Sequence, residues 1–284
     1  MMSDRIFKRF SVGVLTIWLL VFALLPALLV VCGSLLIQGE DNFFSWHLTI
    51  QNYVELFSAD YLYVFLRSFY LAGLTVLFCL LLGYPFAYIV ARMPAYLKPI
   101  LMFLIILPFW TSSLIRIYSI IVIISAQGLL NRFLLWLGII HQPLQLLFTQ
   151  GAVLIGLVYS LLPFMILPLY ANLEKFDWRL IDAARDLGAN KFRVLAKIVI
   201  PITIPGIIAG IILVLLPAMT MFYIPDILGG AKSLLLGNLI KNQFIEARNW
   251  PFGSAISVML TVIMGFLLLV YWRFTTPRSR KDLV

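Results

Sequence analysis

Ten charged side chains crowd the 28 residues from Glu174 to Pro201, in a chain that is otherwise oily. Lys175, Arg179, Arg185, Lys191, Arg193 and Lys197 stand among Glu174, Asp177, Asp182 and Asp186. The chemistry open to such a block is docking, to lipid headgroups or to another protein. A second candidate is Asp226, the only acid near its apolar run, beside Phe222, Tyr223 and Pro225. An ionisable residue at such depth is a functional candidate by default; the blander reading has it cap the run or pair with Arg116 or Lys232. Bond-making chemistry is missing. Gly229-Gly230-Ala231-Lys232-Ser233 ends like a phosphate loop, but Ala231 breaks the required Gly-Lys-Ser/Thr step. His47 and His141 stand alone, and neither a His-Glu-x-x-His zinc helix nor a Gly-x-Ser-x-Gly elbow occurs. Cys32 and Cys79 each lie inside a long apolar run and read as small buried hydrophobes. No catalytic residue, metal ligand or bound cofactor is expected on this chain.

The elements that carry these residues belong in a bilayer. The chain is 63% hydrophobic and 12% charged, with a mean hydropathy of +1.04, against about 25% charged in a soluble domain. No core of 284 residues can hide that much apolar surface, so lipid must be its solvent. The expected fold is an all-α polytopic membrane protein, one transmembrane domain over residues 1–284. Six spans are expected, at about 11–37, 65–91, 100–125, 151–172, 202–228 and 254–272. The first is too long for the apolar core of a cleaved signal peptide, about 7–15 residues, and is expected to stay attached. Pro26, Pro85, Pro108, Pro163, Pro168, Pro217 and Pro225 fall inside these runs. The pairs Pro163/Pro168 and Pro217/Pro225 suggest breaks lining a pathway.

Charge orients the spans. Six of them put both ends on one side. That side collects 15 Lys and Arg, in the head (Arg5, Lys8, Arg9), the turn with Arg92 and Lys98, the charged block, and the tail (Arg273, Arg278, Arg280, Lys281). The other side holds Arg67, Arg116, Arg132, Lys232, Lys241 and Arg248, offset by six acids that include Glu40 and Asp41. The positive-inside bias places both termini and the charged block in the cytoplasm. The net charge of +9 is thus a topology signal facing lipid, not a nucleic-acid footprint.

Within the block, Asp177 is suited to cap a short helix over 178–187 that ends at Gly188, and Asn190 to cap a second one running towards Pro201. Leu180, Ile181, Ala184 and Leu187 share one apolar face, while Ala183 and Ala184 leave a low, flat patch where a partner's groove could close. A lipid-binding interfacial loop is the rival reading.

The string Asp182-Ala183-Ala184, then Gly188, nine residues, and Ile198-Val199-Ile200-Pro201 resembles the EAA loop of ABC-importer permeases. Two positions depart: Asp182 stands for Glu and Ile200 for Leu. The resemblance implies that residues 174–201 form the coupling loop of a type I importer, seated in a cytoplasmic ATPase through Asp182, Ala183, Ala184, Gly188, Ile198 and Pro201. It implies that ATP and Mg are used by that partner and not by this chain. Pro108 to Tyr118, Leu134 to Gly138, Leu216 to Met219 and Gly229 to Lys232 resemble the spermidine/putrescine branch of these permeases, over most of the chain after about residue 10. That implies a second permease subunit, a homodimeric ATPase, a periplasmic polyamine-binding protein and a bacterial inner-membrane location.

A polycation crossing a membrane needs carboxylates and aromatic faces, at about 0.5–2 kcal/mol per cation–π contact. On that reading Asp226, Tyr223 and Phe222 would touch the cargo, with Phe109, Trp110 and Tyr118 as an aromatic wall, although an interfacial aromatic belt explains those three as well. Arg116 would repel the cargo and reads as a structural or gating partner. An ion-driven carrier or channel is the competing class; it would need no coupling loop and would want acids in mid-span, where apart from Asp226 there are none.

Overall fold

Proline decides where the apolar runs cease to be one helix. In the computed structural model, which describes residues 2–39, 44–230 and 234–275, Met2–Leu19 (α1) passes through a π-helical turn, Leu20–Leu24, into Leu25–Ser34 (α2). Leu25 N–H donates to Leu20 O in that turn, one residue before Pro26. The pyrrolidine ring would press on the carbonyl of Phe22, and the widened turn makes room. The third apolar run breaks instead. Leu97–Ile106 (α5) tightens into a 3-10 turn, Leu107–Trp110, around Pro108, and Thr111 is extended. A new helix, Ser113–Ile124 (α6), follows, then Leu129–Trp136 (α7).

Six stretches are long and apolar enough to cross a membrane: Phe10–Ser34, Ala59–Ala91, Ser113–Trp136, Gln150–Leu173, Lys191–Thr220 and Trp250–Arg273. The number matches the sequence expectation, but the third and fifth are displaced, to 113–136 from 100–125 and to 191–220 from 202–228. The third crossing begins after the Pro108 break, leaving Leu97–Trp110 as a shorter apolar helix. The fifth stops at Thr220, not near residue 228, because Met221 is extended after Pro217 and Pro225 opens a separate π turn, Pro225–Gly229. Of the residues that oriented the chain, the side chains of Arg5, Lys8 and Arg9, and Glu40, Asp41, Lys232, Arg278, Arg280 and Lys281, lie outside the described set, as do Ala231 and Ser233.

Two compact units emerge. Met1–Tyr63 with Leu239–Phe266 contains α1, α2, a two-stranded antiparallel ribbon of Leu36–Ile37 (β1) and Ser45–Leu48 (β2), and a short helix, Gln51–Leu56 (α3). Asn52 Nδ2 donates to Ser34 O and Leu36 O at 2.9 and 2.8 Å, and Ser34 Oγ meets Tyr53 OH at 2.7 Å. These bonds tie the ribbon to the end of α2. The same unit packs Tyr61 on Phe252 at 4.8 Å.

The second unit, Val64–Asn238 with Leu267–Val284, is built around Gln150–Leu173 (α8), the most enclosed of the six spans. It packs on Ile200–Thr220 (α11), where Gly206 faces Pro168 O and Asn172, and Gly210 faces Met165. That order of contacts makes the pair antiparallel. Within this unit, Ala59–Arg92 (α4, which starts in the other unit) reaches the pair through Gly83 against Met165 and Ile166, and through a 3.0 Å bond between Tyr84 OH and Thr203 Oγ1. Small residues let backbones approach closely in lipid, where no hydrophobic force joins helices. Cys79 is buried and donates to Val158 O at 3.7 Å, so it packs as a small hydrophobe; Cys32 is exposed.

The α6–α7 corner hangs on one side chain. Asn131 is fully buried; its Nδ2 donates to Ser125 O and Leu144 O at 2.9 Å each, and its Oδ1 accepts from Leu144 N at 2.8 Å. Asn131→Leu strands those three backbone groups. The expected loss is about 3 kcal/mol, read as a lower heat-inactivation midpoint of the purified protein in detergent.

Candidate functional site

The charged loop folds as a braced lever. Leaving α8, Tyr170 OH donates to Glu174 Oε1 at 2.7 Å and Phe176 is buried. Trp178 meets Phe176 edge-on at 5.1 Å and Tyr88 of α4 at 5.7 Å, and the Arg92 guanidinium lies over both the Tyr88 and Trp178 rings at 5.6 and 5.2 Å. This cation–aromatic stack pins the loop to the end of α4. Asp177 Oδ1 accepts from Arg179 N at 3.0 Å, capping the helix Arg179–Asp186 (α9) as its sequence suggests. Gly188, at φ +81, closes it. Ala189 N donates to Ala184 O and Gly188 N to Arg185 O, the paired bonds of a Schellman turn. Asn190 Oδ1 then accepts from Arg193 N at 2.8 Å to start Lys191–Val194 (α10). A π turn, Leu195–Val199, relieves Pro201 and carries the chain into α11 without interruption.

The four apolar residues read as one face divide in the structure. Ile181 is 1% exposed and turned inward, and Ala184 is half-buried. Leu187 is 89% exposed, because the Schellman turn has already carried it off the helix. Asp182, Ala183 and Gly188 are exposed with it, Ile198 is half-buried and Pro201 exposed. The loop therefore offers a partner a flat alanine surface flanked by two apolar knobs, Leu187 and Phe192, the latter 84% exposed. Phe192 was not singled out from sequence. The signal was there, in two large apolar side chains bracketing a glycine amid charges.

A second feature occupies the opposite end of α11. After Thr220 the chain is unwound at Met221 and Phe222. Asn238, on the helix Leu236–Ile245 (α12), donates from Nδ2 to Phe222 O at 2.8 Å and to Asp226 Oδ1. It is 2% exposed, and its Oδ1 has no hydrogen-bond partner among the described residues. Gly237 sits against the last turn of α11, where a Cβ would strike Thr220 O and lie 2.7 Å from Thr220 C. Leu236 N donates to Ser68 Oγ at 2.9 Å. The π turn is seated on α8, with Ile224 and Leu228 over Gly156, and Leu228 O accepts from Phe148 N. Asn238 was missed from sequence; nothing marks it before the break brings Phe222 O and Asp226 to it.

The six residues read as a substrate pathway fall into two groups. Phe222, Tyr223 and Asp226 lie on the break, with the two rings edge-to-face at 6.2 Å and Asp226 exposed. Phe109, Trp110 and Tyr118 lie about the α5–α6 break, and α6 reaches the π turn that carries Asp226. Phe109 packs edge-on to Phe164 at 5.1 Å and Trp110 to Phe103 at 5.7 Å; Trp110 and Tyr118 are exposed. The Arg116 guanidinium lies over the Phe109 ring at 5.7 Å, and its buried Nε finds no acceptor among the described residues. No group of three or more metal-ligating side chains occurs among the described residues.

Known proteins are similar to this chain. Residues 83–280 match the family described as binding-protein-dependent transport system inner membrane component. The spermidine/putrescine transport system permease protein PotB of Escherichia coli K12 is 51% identical over 264 residues, covering 93% of this chain and 96% of that one. PotB of Haemophilus influenzae is 50% identical over 275 residues, 97% and 96% of the two chains. A bacterial ABC transporter that imports the acidic polysaccharide alginate has a chain that superposes with a TM-score of 0.74, over 96% of this chain and 99% of that one. At 17% identity that likeness speaks for the fold alone.

Proposed function

Since the chain belongs to the family of binding-protein-dependent transport system inner membrane components, we propose that it is the permease subunit through which an ATP-driven importer carries spermidine or putrescine into the cytoplasm. It is a multi-pass protein of the inner membrane. In the proposed assembly a second permease subunit completes the pathway, a homodimeric ATPase uses ATP and Mg, and a periplasmic binding protein delivers the polyamine.

The observation that carries this reading is the bracing of α9. A short helix transmits displacement only if it cannot flex away from its base, and a two-state element needs such a rigid link. Here the Trp178–Tyr88–Arg92 stack fixes one end and the unbroken run from α10 into α11 the other. Closure of two ATPase subunits around Asp182, Ala183, Ala184 and Gly188 would push α9, with Ile198 and Pro201 passing the movement into α11. At the far end of α11 lie the unwound Met221 and Phe222, then Tyr223 and the π turn with Asp226, so a shift of that helix would alter the surroundings of the carboxylate. Binding at one end and ATP hydrolysis at the other are then coupled through one element.

Cargo contact rests on Asp226, held by Asn238 beside two aromatic rings, with Phe109, Trp110 and Tyr118 continuing the aromatic lining. A charge-assisted bond to an ammonium is worth about 1.5–3 kcal/mol, and about 1.4 kcal/mol is tenfold in affinity. In proteoliposomes holding the complete importer, Asp226→Asn is expected to lower polyamine uptake and polyamine-stimulated ATP hydrolysis by roughly 10- to 100-fold. Unchanged values would remove Asp226 from the pathway. Uptake by the permease with no ATPase present would overturn the importer reading as a whole.

A further inference from the structure

We propose that the cavity between the loop and α4 is a binding site for an anionic phospholipid, which braces the coupling helix; the regulatory part of this proposal rests on the importer reading above. The cavity is about 370 Å3, within the range of small-ligand sites, roughly 300–1,000 Å3. Arg92, Arg185 and Lys191 rim it, and Tyr84, Ile181 and Leu195 are part of its largely apolar wall. None of the three cations has a carboxylate partner among the described residues. Of the nearby acids, Glu174 accepts from Tyr170 and Asp177 caps α9, while Asp182 and Asp186 are exposed and form no ion pair with the three cations among the described residues. The site is therefore a positive mouth over an oily wall.

Its position argues for a lipid over a free anion. Arg92 ends α4 just beyond the apolar stretch Ala59–Ala91, and Lys191 opens the helical run that continues through apolar α11, so the cations stand at the polar ends of two apolar helices. Pro85 lines the cavity, and Leu82, Phe86 and Ile89 continue from it along the exposed face of α4. Those positions share one side of a helix at i, i+4 and i+7. A phosphodiester among the three cations would lay its acyl chains along that stripe, whereas inorganic phosphate would leave it unused. Basic pockets between spans on the cytoplasmic side are suited to such headgroups. Because Ile181 and Arg185 belong to α9 and Tyr84 to α4, an occupant adds a second brace between the two helices beside the Trp178–Tyr88–Arg92 stack.

The test uses the complete importer in nanodiscs of phosphatidylcholine, alone or with phosphatidylglycerol, and counts retained lipid by native mass spectrometry without cargo or ATP. Wild type is expected to retain phosphatidylglycerol that 10 mM inorganic phosphate, about the scale of a competing free anion, does not displace. R92Q/K191Q is expected to hold it roughly 30-fold less tightly, and K191Q alone roughly fivefold less, at about fivefold per basic residue near a lipid surface. R92K/K191R should restore retention. Should R92Q/K191Q fail to assemble, K191Q, which removes a single exposed side chain, decides the matter. In wild type only, phosphatidylglycerol should raise polyamine-stimulated ATP hydrolysis several-fold. Equal retention by wild type and the glutamine variants overturns the site; displacement by inorganic phosphate makes it a free-anion site and overturns the lipid. Shielding of the cavity only when the ATPase is bound assigns it to that subunit and overturns the lipid also. Retention without any polyamine-stimulated hydrolysis, in either lipid, sinks the importer reading and leaves the site standing.

Discussion

Ala183→Arg is expected to cut ATP-driven uptake by roughly 100-fold or more while the chain still inserts and folds. Ala183 is exposed on α9 beside Asp182, on the loop that also exposes Leu187 and Phe192. It makes no contact that its own fold needs, so the substitution costs the isolated permease little; surface changes of this kind usually stay within about 0.5 kcal/mol. In a closed groove the same arginine has nowhere to go. A central interface position disrupted in this way loses about 2–4 kcal/mol, and at about 1.4 kcal/mol per tenfold uptake falls by roughly 100-fold or more. The measurement pairs uptake into proteoliposomes with co-purification of the ATPase. Normal uptake by the variant would mean that α9 is not the docking element. Ala183→Ser, which keeps the surface low, should stay within a few-fold of wild type.

Gly206→Leu separates α8 from α11. A Cβ at Gly206 would lie 2.8 Å from Asn172 Cβ and 3.0 Å from Pro168 O, and neither obstacle is the free end of a flexible side chain. A whole leucine there forces the two central helices apart, at about 3 kcal/mol or more for overpacking. Gly210 faces a different obstacle, the Met165 Sδ at 2.6 Å, and methionine swings aside at small cost. Gly206→Leu is therefore expected to yield aggregated or unassembled protein on size-exclusion chromatography. Gly210→Ala should remain monodisperse with a modestly lower heat-inactivation midpoint. If both variants behave alike, close approach at Gly206 is not what holds the pair together.

Much of this was open to a reading of residues in order. Lipid as solvent and six spans follow from composition and run length, and the resemblance to an EAA loop from the spacing between Asp182 and Pro201, all properties of neighbouring positions along one chain. Caps are equally local, and Asp177, Gly188 and Asn190 took the roles their side chains suggest. Of the two proline pairs expected to break their spans, Pro217/Pro225 flanks the extended Met221 and Pro163/Pro168 does not interrupt its helix, while the break at Thr111 was not legible. Pro85, Pro163 and Pro168 sit inside continuous helices, while Pro108 and Pro217 precede extended residues; a proline removes one hydrogen bond in every case, and its packing neighbours decide whether the helix survives. Asn238 could not be found at all, because its partners, Phe222 O and the Asp226 carboxylate, lie 16 and 12 residues away and meet it only across a break. The charged loop shows the same division. Its sequence alone marked it as a candidate docking element and showed roughly where it begins and ends. Only the tertiary structure decided which way it faces, since Ile181 and Leu187 look alike as letters until the fold buries one of them and the Gly188 turn exposes the other.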